Sequence, residues 1–437
     1  MNHNYIQVIV CALLSLSGFS ASTAQSYTLS GTIKTELDQG VKNVAVTLSS
    51  PGQVYPTYIT GDDGFYSFQV QSINGEATIS AARNDFHKNG ISTLDLVKIQ
   101  KHLLGIAPLD SPYQYIAADA NNSQNVSAID LIEIRKMILG LYNEFPSNQS
   151  WRFVPADYVF PDPYNPWLNM IYPYTFHETI TITDLENPGN LDFIGIKIGD
   201  VNGTAQPHLN QILPRESLVP FELKTEQQFY REGDIINVPI RISSNQKLTG
   251  FQFTLAAPGM EILNILPGQI SISEEHFLIY NGKMAVSWFD ENTIDVAAED
   301  VLFTLQLRAT NSGNISQALS INSEITGAEI YLANEETFLP FLNIHDQHVE
   351  SDLKIISCAP NPWKEETTVS FYIPESDQVS FTLFDVSGRE IFSTSTYLKR
   401  GHQQYQLRSS DFKARGMLVL EIKTAKYSEV MKLIVTE

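Results

Sequence analysis

Asn89-Gly-Ile-Ser-Thr-Leu-Asp95-Leu-Val-Lys-Ile-Gln-Lys-His-Leu-Leu-Gly105 and Asn125-Val-Ser-Ala-Ile-Asp130-Leu-Ile-Glu-Ile-Arg-Lys-Met-Ile-Leu-Gly140 are two copies of one unit. Asp95, Leu96, Ile99, Lys101, Leu104 and Gly105 recur as Asp130, Leu131, Ile134, Lys136, Leu139 and Gly140, in one register without a gap. Agreement of that kind reads as an internal duplication. Each copy is a polar loop followed by an amphipathic helix. Leu96, Ile99 and Leu103 fall on one helical face, as do Leu131, Ile134 and Ile138. Gly105 and Gly140 then stop the helices.

The second loop places oxygen-bearing residues at alternate positions: Asp119, Asn121, Ser123, Asn125, Ser127 and the closing Asp130. This is the spacing of an EF-hand calcium loop, in which a hard cation collects six or more oxygens from alternate residues. Asp119, Asn121, Ser123 and Asp130 would offer side chains, Asn125 a backbone carbonyl, and Ser127 a ligand direct or through water. A polar turn with a capped helix is the competing reading, since Asp and Ser also serve as N-caps. A calcium loop plus one helix, repeated without an entering helix, resembles the dockerin module. Loop one departs from that pattern. Its corresponding positions are Asn84, Phe86, Lys88, Gly90, Ser92 and Asp95, so the third is an aromatic ring and the fifth a cation. Asp200-Val-Asn202-Gly-Thr204 reproduces the start of such a loop but reaches Pro207 without a closing acid. Asp95 has the closing acid and lacks the start. The two halves are therefore expected to converge on one Ca2+ ion, the rival being that Asp200-Val-Asn-Gly is a turn.

Upstream, Tyr27 to Ala82 alternates in short strands separated by turn residues such as Asp62-Asp63-Gly64. Gly31-Thr-Ile, Gly40-Val-Lys-Asn-Val-Ala-Val and Asp62-Asp-Gly64-Phe-Tyr-Ser-Phe resemble the small transthyretin/Ig-like β-sandwich of carboxypeptidase regulatory-like domains. Downstream, Trp151, Phe153, Tyr158, Phe160, Tyr164, Trp167, Tyr172, Tyr174 and Phe176 crowd one Pro-rich segment. Burial against the helices is the expectation, because rings mostly serve cores. A glycan-stacking face is the alternative.

Phe221 to Leu342 is again β. Its Val238-Pro-Ile strand, Leu248-Thr-Gly250-Phe-Gln-Phe-Thr-Leu and Leu302-Phe-Thr-Leu resemble a cohesin, a jelly-roll sandwich. Glu274, Glu275, Asp290, Glu291 and Asp295 lie near its middle and read as exposed loop acids rather than a hydrolase pair. The last segment carries Pro360-Asn-Pro362, Leu383-Phe-Asp-Val-Ser-Gly388-Arg-Glu, Gly416-Met-Leu-Val-Leu and Lys432-Leu-Ile-Val. Together these resemble the type A C-terminal sorting domain of the type IX secretion system. The resemblance implies passage through the outer-membrane secretion machinery and a secreted or outer-membrane cell-surface location. The combination is similar to secreted multidomain proteins of Bacteroidetes-type bacteria.

These patterns divide a multidomain, mainly β chain into a signal peptide (1–24), a regulatory-like sandwich (25–83), a small α dockerin-like, EF-hand-like module (84–145), its aromatic-rich extension (146–205), a linker (206–217), a cohesin-like jelly-roll sandwich (218–347) and a C-terminal β-sandwich sorting domain (355–437). The net charge of −21 is opposite to what a nucleic-acid binder needs. Of two cysteines, Cys11 lies in the apolar N-terminal run, so an exported chain keeps Cys358 and forms no internal disulfide. No Ser/His/Asp, Cys/His, zinc or phosphate-loop signature appears, and no enzyme is expected.

The function expected is a non-enzymatic scaffold or adhesion protein with an unknown protein partner. Its alternative is a carbohydrate-binding accessory of a polysaccharide-degrading system. In the families they resemble, the dockerin-like module and the cohesin-like sandwich are partners. Fold-back within one chain, head-to-tail assembly and loss of recognition all stay open. The residues before the closing acids, Thr93-Leu94 and Ala128-Ile129, point to an apolar contact rather than a hydrogen-bonded one.

Overall fold

The computed structural model describes residues 25–168, 176–208, 218–345 and 353–436. The expected signal peptide and most of the expected linker lie outside them, as do Tyr172 and Tyr174. The chain forms two compact units. One holds the residues up to Lys224 with Arg231–Asn311 and Ala318–Asn343; the other holds Thr225–Tyr230, Ser312–Gln317 and Ile344–Glu437.

In the first unit, β1 (Tyr27–Lys34), β2 (Ala45–Ser50), β3 (Gln53–Val54), β4 (Tyr58–Ile59), β5 (Phe65–Val70) and β6 (Ala77–Ala82) precede three helices, α1 (Thr93–Leu103), α2 (Pro112–Ala118) and α3 (Ala128–Ile138). Then come β7 (Trp151–Pro155), β8 (Thr179–Ile182) and β9 (Phe193–Lys197). These late strands complete the first sandwich. One of its sheets runs β5-β1-β9-β7 and the other β3-β2-β6-β8, with β4 on β2. Strands β1 and β9 are parallel, Ile33 opposite Phe193. The expected boundary at residue 83 thus gives way to an insertion: the helical module leaves the sandwich after β6 and returns to it at β7. The segment 146–205, expected as an extension of the helices, supplies sandwich strands. The physical reason is burial. Alternation along β1 sends Leu29 and Ile33 inward, and they meet Trp151, Phe153 and Phe193 in one core.

Trp151 and Phe153 belong to that core, while Tyr158, Phe160 and Trp167 pack against the helices and Phe176 is buried among them. The expectation of burial holds for these rings. Tyr164 is 66% exposed. Helix α2 was not expected; Ser111, whose side chain accepts from Gln114 N, and Pro112 at the first turn are the signals that mark its start. Gly105 and Gly140 end α1 and α3 with φ of 69° and 81°, as the pattern required.

The remaining strands of this unit form a ten-stranded arrangement. Its members are β10 (Val219–Glu226), β12 (Ile235–Ile242), β13 (Gln246–Ala256), β14 (Met260–Pro267), β15 (Phe277–Tyr280), β16 (Lys283–Val296), β17 (Val301–Ala309), β19 (Ser320–Asn322), β20 (Glu329–Leu332) and β21 (Thr337–His345), β11 and β18 being set aside. The order is β14-β17-β12-β10-β21-β20-β13-β16-β15, with β19 on β13. Phe251, Phe253, Trp288 and Phe303 stack inside it.

The second unit contains β11 (Phe229–Tyr230) paired with β18 (Gly313–Asn314), and a C-terminal sandwich. The latter comprises β22 (Lys354–Ala359), β23 (Glu366–Ile373), β24 (Asp377–Asp385), β25 (Glu390–Leu398), β26 (Gly401–Arg408), β27 (Gly416–Lys423) and β28 (Ser428–Val435). Its sheets run β22-β23-β26 and β25-β24-β27-β28 around Trp363, Phe371, Phe381 and Leu420. The mainly β class with small helices is as expected.

The insertion has a direct test. A fragment of residues 25–83 lacks β7 to β9 and is expected to remain unfolded, whereas residues 25–208 give a dispersed amide NMR spectrum. In the full chain, Trp151→Ala is expected to cost about 3–5 kcal/mol in urea unfolding of the first sandwich.

Candidate metal centres and the docked helix

The second loop closes as its spacing required. Asp119 and Asp130 are both fully buried. Asp119 accepts from Ser123 N through Oδ1 (2.8 Å) and from Gln124 N through Oδ2 (2.8 Å). Asn121 Oδ1 accepts from Ser123 N at 2.9 Å, and Ser123 Oγ donates to the Asn125 carbonyl at 3.3 Å. Asp130 Oδ1 accepts from Asn121 N at 3.1 Å, and its Oδ2 accepts from Ser127 N at 2.8 Å and Ser127 Oγ at 3.0 Å. Asn122 and Gln124 take the left-handed conformation, with φ of 57° and 65°, which folds alternate residues inward.

The same bonds recur around Asp95, split between two distant segments. Asp200 Oδ1 accepts from Thr204 N at 3.0 Å and its Oδ2 from Ala205 N at 2.7 Å. Asn202 Oδ1 accepts from Thr204 N at 3.1 Å, and Thr204 Oγ1 donates to the Gly90 carbonyl at 3.0 Å. Asp95 Oδ1 accepts from Val201 N (2.9 Å) and Asn202 N (3.2 Å), and its Oδ2 from Ser92 N (2.8 Å) and Ser92 Oγ (2.9 Å). Position by position, Asp200, Asn202, Thr204, the Gly90 carbonyl, Ser92 and Asp95 stand where Asp119, Asn121, Ser123, the Asn125 carbonyl, Ser127 and Asp130 stand. The loop is one unit cut after its sixth residue, Ala205, and resumed at Gly90. Gly90 makes the junction possible. It has φ +81°, and a Cβ there would lie 2.6 Å from Ala205 N. Asn89 and Gln206 brace the cut, Gln206 N donating to Asn89 Oδ1 at 3.1 Å and Asn89 Nδ2 to Gln206 O at 3.0 Å.

Asn84 is not among these residues. Its Oδ1 accepts from Ser150 N at 2.8 Å. The contiguous reading of loop one, from Asn84 through Phe86 and Lys88, is corrected: Asp200, Asn202 and Thr204 fill the places those three cannot. Lys88 Nζ instead reaches the Ile325 carbonyl at 3.4 Å. Thr204, Gly90 and Ser92, read from the sequence as loop positions and not as site residues, join Asp95, Asp200 and Asn202 in this network.

Among the described residues no group of three or more His, Cys, Asp or Glu gathers. Each loop offers two carboxylates with neutral oxygens and no nitrogen or sulfur, the donor set of a hard cation. Burial, and then the Asp200 carboxylate, push the Asp95 carboxyl well above its ordinary range. Burial also raises Asp200, Asp119 and Asp130. Paired carboxylates held out of water in this way fit a divalent cation between them. The buried Lys197 amine is pushed down to about 7, chiefly by burial, and it donates to the His87 carbonyl at 2.7 Å and the Ile198 carbonyl at 3.1 Å.

Immediately before Asp95, α1 docks on the second sandwich. Strand β13 is buried on both of its faces from Leu248 to Leu255. Phe251 and Phe253 face the core, so Gln252 and Thr254 face the other way, where α1 meets Gln252 and the 325–326 segment meets Thr254. Thr93 N and Oγ1 donate to Gln252 Oε1 at 2.7 and 2.9 Å, and Thr93 Oγ1 lies 2.6 Å from Ser287 Oγ. Leu94 and Val97 pack with Tyr331 and Phe289. Lys98 pairs with Glu335 at 2.9 Å, and the Arg135 guanidinium sits over Phe289, 5.4 Å from its centre. The contact is therefore both apolar and hydrogen-bonded, where an apolar one was expected; the hydroxyl of Thr93 finds two polar partners, Gln252 and Ser287, on the sheet.

Residues 357–436 match the family model described as the secretion system C-terminal sorting domain. No curated protein is similar to the chain in sequence. Among solved structures, a non-cellulosomal cohesin from the archaeon Archaeoglobus fulgidus is 17% identical, covering 30% of this chain and 94% of its own, with a TM-score of 0.21. A chain of the type I cohesin–dockerin complex from Clostridium thermocellum is 13% identical, covering 31% and 99%, also with a TM-score of 0.21. Latent PorU from Porphyromonas gingivalis is 11% identical, covering 59% of this chain and 24% of its own, with a TM-score of 0.18. Such scores carry no claim about this chain. The sorting-domain match does: this is a protein of the type IX secretion route, secreted or held at the outer-membrane surface.

Proposed function

We propose that the chain is a non-enzymatic surface scaffold in which a helical module carrying two calcium ions fastens onto the cohesin-like sandwich of the same molecule. The burial of Thr93, Leu94 and Val97 against Gln252, Ser287 and Tyr331 carries this reading. Calcium, when bound, neutralises the paired carboxylates of each loop. Asp119, Asn121, Ser123, the Asn125 carbonyl, Ser127 and Asp130 would hold one ion. Asp200, Asn202, Thr204, the Gly90 carbonyl, Ser92 and Asp95 would hold the other.

The acids near the middle of the cohesin-like sandwich take part in surface pairs: Glu275 lies 3.6 Å from Arg135 and Asp295 3.8 Å from Lys247. These distances favour an electrostatic rim over a hydrolytic pair. The carbohydrate-binding alternative draws no support from the described rings of the 151–176 segment, most of which face into cores.

With two carboxylates per loop, dissociation constants of about 10⁻⁴–10⁻³ M are expected. Calcium at about a hundredfold over its constant then adds roughly 2.7 kcal/mol per site. Elemental analysis of protein equilibrated in excess calcium is expected to find two ions per chain, falling to one in Asp130→Ala and to one in Asp95→Ala. Two ions retained in either variant would remove the corresponding site. Docking has its own test. Gln252→Leu leaves the buried Thr93 amide without an acceptor and its hydroxyl to Ser287 alone, and is expected to lower stability by about 1–3 kcal/mol, measured by denaturant midpoint in saturating calcium.

A further inference from the structure

The two loops are equivalent in their bonds and opposite in their reach. In the second, the side-chain bonds of Asp119, Asn121 and Asp130 all close within the loop, which is met from outside by Asn148 at the Asp119 carbonyl and by Arg152 at Asn122. In the first, Asp95 Oδ1 holds Val201 N, 106 positions away. The residues on either side of that carboxylate are committed elsewhere: Thr93 to Gln252 and Ser287, Lys98 to Glu335. The counterparts on α3 are committed to nothing of the kind, since Ile129 is 57% exposed and Ile132 51%.

We propose that the split loop is a cation-operated latch: emptying it releases the start of α1 from the β13–β16–β20 face, whereas emptying the second loop does not. This rests on the calcium reading above. Without a cation, Asp95 and Asp200 are two buried carboxylates facing each other across a cut in the chain, and their repulsion works against the hydrogen bonds that brace the cut. The Asp95 side moves with Thr93 and Leu94, because they share the first turn of α1. Asp119 and Asp130 repel in the same way, but their loop is continuous, and α3 meets the second sandwich through Arg135, two turns on from Asp130's neighbours Ala128 and Ile129, which are exposed.

Ser287 reports the event, because it is fully buried and touches Thr93. The full chain, with Cys11 and Cys358 changed to Ser and Ser287→Cys added, is labelled with a thiol reagent while bound calcium is counted in parallel. In calcium, the parent and an Asp119→Asn variant are expected to label slowly. The parent in EGTA, and Asp200→Asn in calcium, are expected to label at least tenfold faster, with circular dichroism unchanged. Each variant is expected to lose one ion. Slow labelling in an Asp200→Asn protein that has lost its ion overturns the latch, as does fast labelling in Asp119→Asn. Two ions retained in Asp200→Asn would instead overturn the calcium assignment at the split loop, and the latch with it. Should Ser287→Cys itself loosen the contact, hydrogen exchange of residues 90–96 in the otherwise native chain replaces it, with the β1 and β5 peptides as the folding control. Exchange at 90–96 that does not rise in EGTA ahead of β1 and β5 is equally an overturning result.

Discussion

The carboxylate of Asp95 is the joint on which the first unit turns. It has no exposure to solvent. One of its oxygens takes the amides of Val201 and Asn202, which arrive from β9, and the other takes Ser92, which opens α1. A buried charge is tolerated only when hydrogen bonds and an opposite charge surround it. Here the hydrogen bonds come from two segments that must therefore be brought together. The insertion of the helices between β6 and β7 serves this meeting, since the chain returns through β7 to β9 and so carries Asp200 to Asp95.

The docking face obeys a related logic. A strand in a two-layer sandwich buries one side and wets the other. Strands β13 and β16 depart from this. Ser287 and Gln252, paired across the two strands, are polar and buried, on the side away from Phe251 and Val286. Their partners come from α1. A polar strip of this sort is costly when covered without hydrogen bonds, so Thr93, with an amide and a hydroxyl to offer, suits it, and Ala128 at the equivalent place on α3 does not. Lys98 opposite Glu335 adds to the preference, since α3 carries Glu133 there.

Much of this was legible in the residues. The duplication, both helices, the closing acids and the pairing of Asp95 with Asp200 follow from spacing alone, because oxygen alternation and helical periodicity are local signals. What escaped was long-range. Nothing in Phe193–Lys197 announces a parallel partner in β1, because pairing of distant strands is decided by which faces need cover. Asn84 was counted into loop one because a loop was read as contiguous; its companions Phe86 and Lys88 were the sign that the first half lay elsewhere. Thr93 was read with Leu94 as apolar, when its hydroxyl had a role that only the opposite sheet could define.

The seat of α1 on the second sandwich also has a mechanical meaning for a protein held at a cell surface. The sandwiches are joined covalently through residues 209–217, and the docked helix lies in parallel with that tether. The face where Thr93 meets Gln252 is thus a second, non-covalent fastening between the two sandwiches, one that can part and close again while the covalent one holds.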